Sequence, residues 1–410
     1  MRNPTAMNCS RNGADVDSPL ASRPRRYGTH RKRWATPENI KANCFLPNSD
    51  FGVNCTSMQK ENLLGYTLGR MENLMSSLGE KPYRGRQIFK WLYRVRQYDF
   101  SLMTDLTKNL RNRLEEKYTF ENLKAEHVEE SQDGTLKILF RLNDDQPIET
   151  VLIPDENGRK TVCISVQSGC SLACRFCATG TMGLLRDLTV GEIVGQLIYL
   201  RECYGDNAFT NVVMMGMGEP LLNFENTIEA VKIITDEIGL GHSARKTTIS
   251  TVGISPKIKE LADLGLKTRL AVSLNAATQE KRARIMPVTE KFCLDELMEA
   301  VKYYTEKTGT RVTFEYILFK DFNDSMADVK TLSQLVQGIT CKINLLAYNP
   351  VKGLEFERPS DERVDWFARQ LYPRAPAVMV RKSRGTDIDA ACGQLAGRYP
   401  ERRRAENACS

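Results

Sequence analysis

The chain has 410 residues, 41% of them hydrophobic and 27% charged, a balance that argues against global disorder and leaves room for roughly two or three domains. Its net charge of +7 is modest for this length, so the placement of charge matters more than its sum. No run approaches the roughly 18–20 apolar residues that cross a bilayer. The polar start carries no secretory signal, so the twelve cysteines point to a reducing compartment, the cytoplasm, and to chemistry rather than a disulfide framework.

Residues 1–62 read as a basic extension. Arg2, Arg11, Arg23, Arg25, Arg26, Arg31, Lys32 and Arg33 are opposed before Ala35 only by Asp15 and Asp17, and apolar residues are sparse. Such composition predicts disorder. It suits a basic arm on RNA, an organelle transit peptide (which would move the protein out of the cytoplasm) or an inert extension.

Residues 63–125 read as a small helical accessory domain. Ile88, Trp91, Leu92 and Val95 fall at i, i+3, i+4 and i+7, the stripe of a core-facing helix. Arg86, Lys90 and Arg94 recur every four residues on a second face, with Arg84 and Arg96 nearby. That face suits contact with phosphates, although charged stripes more often simply face water. A further helix is expected over 105–117.

Residues 126–160 are expected to form a hairpin linker, with strands over 136–142 and 148–153 joined by Asn143-Asp144-Asp145. Glu149 lies inside the second strand, where a carboxylate usually takes the exposed face.

From 161 to 396 the chain alternates strand and helix. Strands are expected over 162–166, 211–215, 246–250, 269–274, 311–317 and 342–346, and helices over 189–203, 224–236, 255–264, 294–307, 325–337 and 361–371. Six such units predict an α/β fold, a partial (β/α)6 barrel, whose active groups gather in the loops after the strands. A basic tail, 397–410, contains Arg402-Arg403-Arg404.

The loop after the first strand of this barrel holds Cys170, Cys174 and Cys177 in C-x3-C-x2-C spacing. Three thiolates on one short loop suit three irons of a [4Fe–4S] cube and leave the fourth without a protein ligand. Zinc, a disulfide loop and chance are the competing readings, though zinc normally takes a fourth nearby Cys or His, and none follows closely. Gly216-Met217-Gly218-Glu219-Pro220 follows the second strand, Ser250-Thr251 ends the third, Ser273-Leu274-Asn275 ends the fourth and Tyr348-Asn349-Pro350 follows the sixth. The polar, glycine-rich ends thus converge where the cluster would sit. Cys163 and Cys392 alone would pass for buried core cysteines, as free cysteines usually are. Cys203, Cys293 and Cys341 read as cysteines without a functional role, and His127 and His242 have no partner motif.

The triad with Phe176, together with Gly218-Glu219-Pro220, resembles the radical S-adenosylmethionine (SAM) enzymes. Closer still is the resemblance to the RNA adenine-C2 methyltransferases of the RlmN type, whose Cfr-type relatives methylate adenine C8. It spans residues 63–396. Its carriers include Lys81-Pro82-Tyr83-Arg84-Gly85-Arg86-Gln87, Glu149-Thr150-Val151, the run from Asn211 to Asn223, Cys341-Lys342-Ile343-Asn344-Leu345 and the run from Arg384 to Leu395.

The resemblance implies roles for these residues. Cys170, Cys174 and Cys177 would ligate one [4Fe–4S] cluster per chain. Phe176, Gly218, Glu219, Ser250, Ser273, Leu274, Asn275 and Asn349 would form the SAM pocket. Some members carry Ser-Leu-His where this chain has Ser273-Leu274-Asn275. Two SAM molecules would be used per turnover: Cys392 takes a methyl group from one, and a radical derived from the other activates that methyl for attack on adenine C2. Cys163 would resolve the resulting protein–RNA adduct through a transient disulfide with Cys392, and Glu149 would accept a proton. The implied partners are an adenosine in large-subunit ribosomal RNA, an adenosine beside the anticodon of transfer RNA, and a flavodoxin-like or ferredoxin-like electron donor to a monomeric enzyme. RNA contact would fall to Arg84, Arg86, Lys90 and Arg94. The rival readings are a C8 methyltransferase and a non-enzymatic RNA-binding module built on zinc, which would leave Cys163 and Cys392 without a role.

Overall fold

Strands buried on both faces need near-continuous apolar sequence, and two largely apolar runs, residues 312–318 and 341–347, are buried in this way. A computed structural model describes residues 60–397, all within one compact unit. The basic extension before residue 60 and the arginines of the tail lie outside the described residues. In chain order the elements are β1 (Glu61–Asn62), α1 (Leu68–Ser77), α2 (Tyr83–Lys90), α3 (Lys108–Lys117), β2 (Tyr118–Thr119), β3 (Ala125–Glu130), β4 (Leu136–Arg141), β5 (Pro147–Pro154) and β6 (Lys160–Cys163). There follow β7 (Gln167–Cys170), α4 (Ala178–Thr181), β8 (Gly183–Asp187), α5 (Val190–Tyr204), β9 (Asn211–Met214), α6 (Phe224–Thr235), β10 (Thr247–Thr251), α7 (Ser255–Asp263) and β11 (Arg269–Ser273). The chain continues through α8 (Gln279–Ile285), α9 (Leu294–Thr308), β12 (Val312–Leu318), α10 (Met326–Leu335), β13 (Cys341–Ala347), α11 (Asp361–Leu371) and β14 (Val378–Arg381).

One sheet runs β14-β13-β12-β11-β10-β9-β6-β5-β4-β3. From β14 to β6 all neighbours are parallel, and from β6 to β3 all are antiparallel. The six strand–helix units expected from sequence are present and β14 adds a parallel edge, giving an open α/β barrel. The largely apolar β12 and β13, next to the β14 edge, are buried throughout apart from the half-buried Lys342. Helices start where expected because caps are in place: Thr189 and Glu192 form a reciprocal capping box on α5, as do Ser325 and Asp328 on α10.

The segment expected as a hairpin gains a third strand, β3, and continues the main sheet. Its far side carries the end of the chain. Gly385 N donates to Asp133 Oδ2 at 2.9 Å, the Lys137 ammonium donates to Ile388 O, and Ile388, Ala390 and Leu395 pack with Val151 and Met217 in a second small core. This cover reverses the expectation for Glu149: it is 1% exposed, because the strand face predicted to meet water is roofed by residues 385–397.

The accessory helices share one hydrophobic core with the barrel. Ile88 and Leu92 face it as expected, but Val95 is 48% exposed and Trp91 is half-buried, its Nε1 donating to Asp105 Oδ1 at 2.6 Å. The cause is a π-helical turn over Trp91–Val95, whose wider turn breaks the 3.6-residue register and turns Val95 to solvent. Phe89 and Tyr93 complete the buried face instead, and the Tyr93 hydroxyl accepts from Gly65 N at 2.8 Å.

Candidate active site

The triad loop leaves β7 at Cys170 and enters α4 after Cys177. Gly169 has φ +76°, and a Cβ there would lie 2.0 Å from Gly183 O, so only glycine lets β8 close against β7. The loop is fastened from the opposite end of the sequence. Ala178 N donates to Gly393 O at 2.7 Å and Thr179 Oγ1 to Leu395 O at 2.6 Å. Asn349 Nδ2 donates to Cys392 O at 3.2 Å, tying the same segment to the loop after β13. These bonds bring Cys392 beside the triad across more than half the chain.

The result is a cavity of about 210 Å³ at the carboxyl ends of the parallel strands. It is lined by Cys163, Cys170, Cys174, Phe176, Cys177, Gly218, Glu219, Ser250, Ser273, Asn275, Asn349 and Cys392. Two residues expected in the site stand behind its wall. Leu274 is fully buried, its N–H donating to Glu315 O at 3.0 Å. Glu149 is committed elsewhere: Oε2 accepts from Ala396 N at 2.9 Å and Gly397 N at 3.1 Å, while Oε1 lies 3.8 Å from Lys137 Nζ. Burial raises its pKa against the pull of Lys137.

Several polar groups at the cavity are held by protein partners. Gly218 has φ +96°, and a Cβ would lie 2.4 Å from Gln167 Cβ, so the chain passes there only as glycine. That approach lets Gln167 Oε1 accept from Glu219 N at 2.8 Å. The Glu219 carboxylate accepts from Leu221 N at 3.0 Å and Val252 N at 2.9 Å, and burial lifts its pKa to about 7. Asn275 has φ 59°, a left-handed conformation that favours Asn and His among non-glycine residues, so the asparagine in the Ser-Leu-Asn run fits the backbone. Its Oδ1 accepts from Ile317 N at 3.1 Å. The Ser250 hydroxyl donates to Met214 O. Phe176 packs on Phe319 with ring centroids 5.4 Å apart.

Burial holds all five site thiols toward their protonated form. Cys163 and Cys170 rise to about 12, and Cys174 and Cys177 are raised as well. Cys392 is an exposed residue, but it lines a concavity walled by protein, where burial of the thiol raises its pKa to about 11, helped by the negative charge of Glu315. Cys163 and Cys392 are free thiols whose ionised forms repel one another. The triad suits a [4Fe–4S] cluster: its thiols lie on one loop in one cavity, and metal binding would supply the positive charge that ionises them. Asn349 Oδ1, buried and without a protein partner, is left for a further ligand at the wall.

Sequence reasoning missed Gln167, Glu315, Met286 and Arg381, which also line the cavity or buttress it. Only Gln167, three residues before the triad, carried a local signal. The basic stripe lies apart from the cavity. Arg84 donates to Asp105 O and Gln87 Oε1, both at 2.8 Å, and Arg86 pairs with Glu72 at 3.4 Å, whereas Lys90 and Arg94 are exposed.

A Radical SAM superfamily model matches residues 164–332, and a model of the ribosomal RNA large subunit methyltransferase N-terminal domain matches residues 61–119. The chain is 46% identical over 342 residues to a probable dual-specificity RNA methyltransferase RlmN of Salinibacter ruber, covering 80% of this chain and 93% of that protein. It is 44% identical to a dual-specificity RNA methyltransferase RlmN of Geotalea uraniireducens, over 83% of this chain and 98% of the relative. A crystal structure of a radical SAM methyltransferase from Sphaerobacter thermophilus superposes with TM-score 0.77 at 42% identity, over 82% of this chain and 100% of that one. Proteins of this kind work with a [4Fe–4S] cluster and SAM. Matching both family models and most of the length of these relatives, the chain belongs to the RlmN-type radical SAM RNA methyltransferases.

Proposed function

We propose that this protein methylates C2 of an adenosine in large-subunit ribosomal RNA and of an adenosine beside the anticodon in transfer RNA, with Cys392 as the methyl carrier. The observation that carries the reading is the opening of two further cysteines, Cys163 and Cys392, into the same cavity as the triad. Adenine C2 is an aromatic carbon without nucleophilic character, so direct transfer from the electrophilic methyl of SAM cannot occur there, and a carrier is needed.

Cys170, Cys174 and Cys177 would hold the cluster, which with SAM supplies one-electron chemistry and the methyl group. Cys392, a lining residue of the cavity, displaces the sulfonium methyl as its thiolate: a Cys392 S–C bond forms, the methyl–sulfonium bond breaks and S-adenosylhomocysteine leaves. One hydrogen atom of that methyl would be given up to the radical derived from the second SAM, the carbon would bond to C2, and with the C2 proton passed to Glu149 and the surplus electron returned to the cluster, protein and RNA would be covalently joined. The Cys163 sulfur then attacks the Cys392 sulfur, forming a disulfide and releasing the RNA, whose new methylene takes up a proton. An external dithiol restores both cysteines. Glu149 accepts the C2 proton. Its buried, raised-pKa carboxylate suits that task, and reaching the base requires it to let go of Ala396 and Gly397. Glu219 meets the ammonium of SAM, and Gly218 lets that end approach the backbone. The target base is flipped out of folded RNA into the cavity at a cost of roughly a few kcal/mol, while Lys90 and Arg94 hold the flanking phosphates.

The test is an anaerobic assay of cluster-loaded protein with SAM, reductant and unmodified ribosomal or transfer RNA, followed by nucleoside mass spectrometry. 2-Methyladenosine is expected. 8-Methyladenosine would move the reading to the C8 reaction, and 5′-deoxyadenosine without a methylated base would reject the RNA substrates.

A further inference from the structure

Lys137 is buried on β4, between β3 and β5, and nothing in the scheme above uses it. It lies opposite Glu129 of β3 and Val151 of β5, and since alternate residues of a strand share a face, Glu149 points the same way as Val151. The ammonium meets three partners from three parts of the chain. Glu129 Oε2 and Glu149 Oε1 each lie 3.8 Å away, and Ile388 O of the covering segment accepts a hydrogen bond. Both carboxylates are buried as well. Taking one member out of such a buried group strands a charge and costs several kcal/mol, yet apolar residues of similar volume often hold a core equally well.

Glu149 is thus gripped from two sides, by Lys137 at Oε1 and by the N–H groups of Ala396 and Gly397 at Oε2. Both grips favour the carboxylate, against the burial that favours the acid. They differ in what happens when Glu149 turns toward the base. The Oε2 bonds must break, whereas Lys137 is anchored on the neighbouring strand and stays within reach of Oε1. The other titratable groups on this face are few. His127 of β3 shares the face of Glu129, Cys163 of β6 lies opposite Val151, and Asp389 of the covering segment opposes ionisation of Glu149. Asp133 accepts from Gly385 N, and Asp387 from the Ser131 hydroxyl and Gln132 N.

We propose that Lys137 is a positioning residue for the proton transfer: its ammonium, fixed by Glu129 and Ile388 O, keeps Glu149 an ionised carboxylate once Ala396 and Gly397 have let go, and Glu129 tempers that hold by sharing the same ammonium. What these buried charges add over apolar packing is therefore control of one carboxylate. The inference rests on Glu149 being the acceptor of the C2 proton.

Cluster-loaded wild-type protein, Lys137→Met and Glu129→Gln, each already methylated on Cys392, are given RNA, SAM and reductant anaerobically, and the single-turnover rate of methyl transfer to RNA is followed against pH. Loss of the ammonium favours protonated Glu149, so the acid limb of the methionine variant is expected about one pH unit above that of wild type. With the ammonium no longer shared, the limb of the glutamine variant is expected below it. Methylation of Cys392 itself, which needs no acceptor for the C2 proton, is expected to match wild type in both, whereas a merely structural role would slow both steps and leave the limbs in place. A methionine variant whose limb coincides with wild type, or which loses Cys392 methylation as far as RNA methylation, would overturn the proposal. So would a glutamine variant whose limb is unmoved or raised, and this reading decides the matter if the methionine variant does not fold. Glu149→Gln protein that transfers the methyl group to RNA at the wild-type rate would instead reject the acceptor role of Glu149, and with it the inference.

Discussion

The triad loop and the basic stripe of α2 are both short, regularly spaced sets of like side chains, yet the molecule treats them differently. The triad is fastened at its own turn and by the segment around Gly393, so three sulfurs face one cavity and burial keeps them neutral until a metal arrives. The stripe is dispersed: Arg84 is half-buried and held by Asp105 O, Arg86 is exposed but paired with Glu72, and Lys90 and Arg94 are exposed. Spacing on a loop pinned from two sides specifies a site. The same regularity along a helix specifies a face, and its neighbours decide what that face does.

The comparison is broken most sharply at Cys392. Cys392→Ala is expected to abolish methylation while iron content stays at the wild-type level of about four per chain; retained methylation would return Cys392 to the wall. A colourless protein carrying zinc would instead support the binding-module reading. Next in size is Cys163→Ala, expected to accumulate a protein–RNA crosslink visible as a band of reduced mobility under denaturing conditions. Normal turnover with free RNA would remove Cys163 from the scheme.

Gly218→Ala tests the close approach of the Gly218 turn to Gln167. Both the φ of +96° and the 2.4 Å contact oppose a Cβ, so a loss of roughly 2–4 kcal/mol in denaturant unfolding is expected, with weakened SAM binding. An unchanged unfolding midpoint would show that the turn relaxes freely.

Glu219 gives a pH signature. Its folded pKa of about 7 lies above the ordinary 4.5, so folding favours the protonated form. Its contribution to stability is therefore fully present below about 4.5 and is lost as pH rises through about 7, up to about 3 kcal/mol in all. In cluster-free protein, Glu219→Gln should remove this decline between pH 4.5 and 7 relative to wild type. Parallel stability curves would show that Glu219 ionises inside the fold without penalty. The smallest effect belongs to the stripe. Lys90→Glu with Arg94→Glu is expected to weaken RNA binding several-fold and to lower its salt dependence by about one unit per lost phosphate contact. Unchanged affinity would leave α2 as a solvated face.

Much of this architecture was legible because its signals are local. The six strand–helix units follow from apolar runs alternating with capped amphipathic helices, and the triad from three cysteines within eight residues. What was not legible depends on distant chain. The burial of Glu149 comes from residues 396 and 397, and the register of Val95 from a π-turn that no periodicity announces. Strand β3 reads as Ala-Glu-His-Val-Glu-Glu, too charged to stand out, and is held by pairing with β4. Helix α8 is short and rich in charge, and nothing in its local sequence announces that Arg282 is buried against the carbonyls of Val252 and Ser273.

The carrier role of Cys392 is the central claim, and peptide mass spectrometry after anaerobic incubation of cluster-loaded protein with SAM and reductant, without RNA, tests it most directly. The account predicts one methyl group on the peptide containing Cys392, absent from the Cys392→Ala variant. A methyl group on another residue, or none in protein that then methylates added RNA, would contradict it.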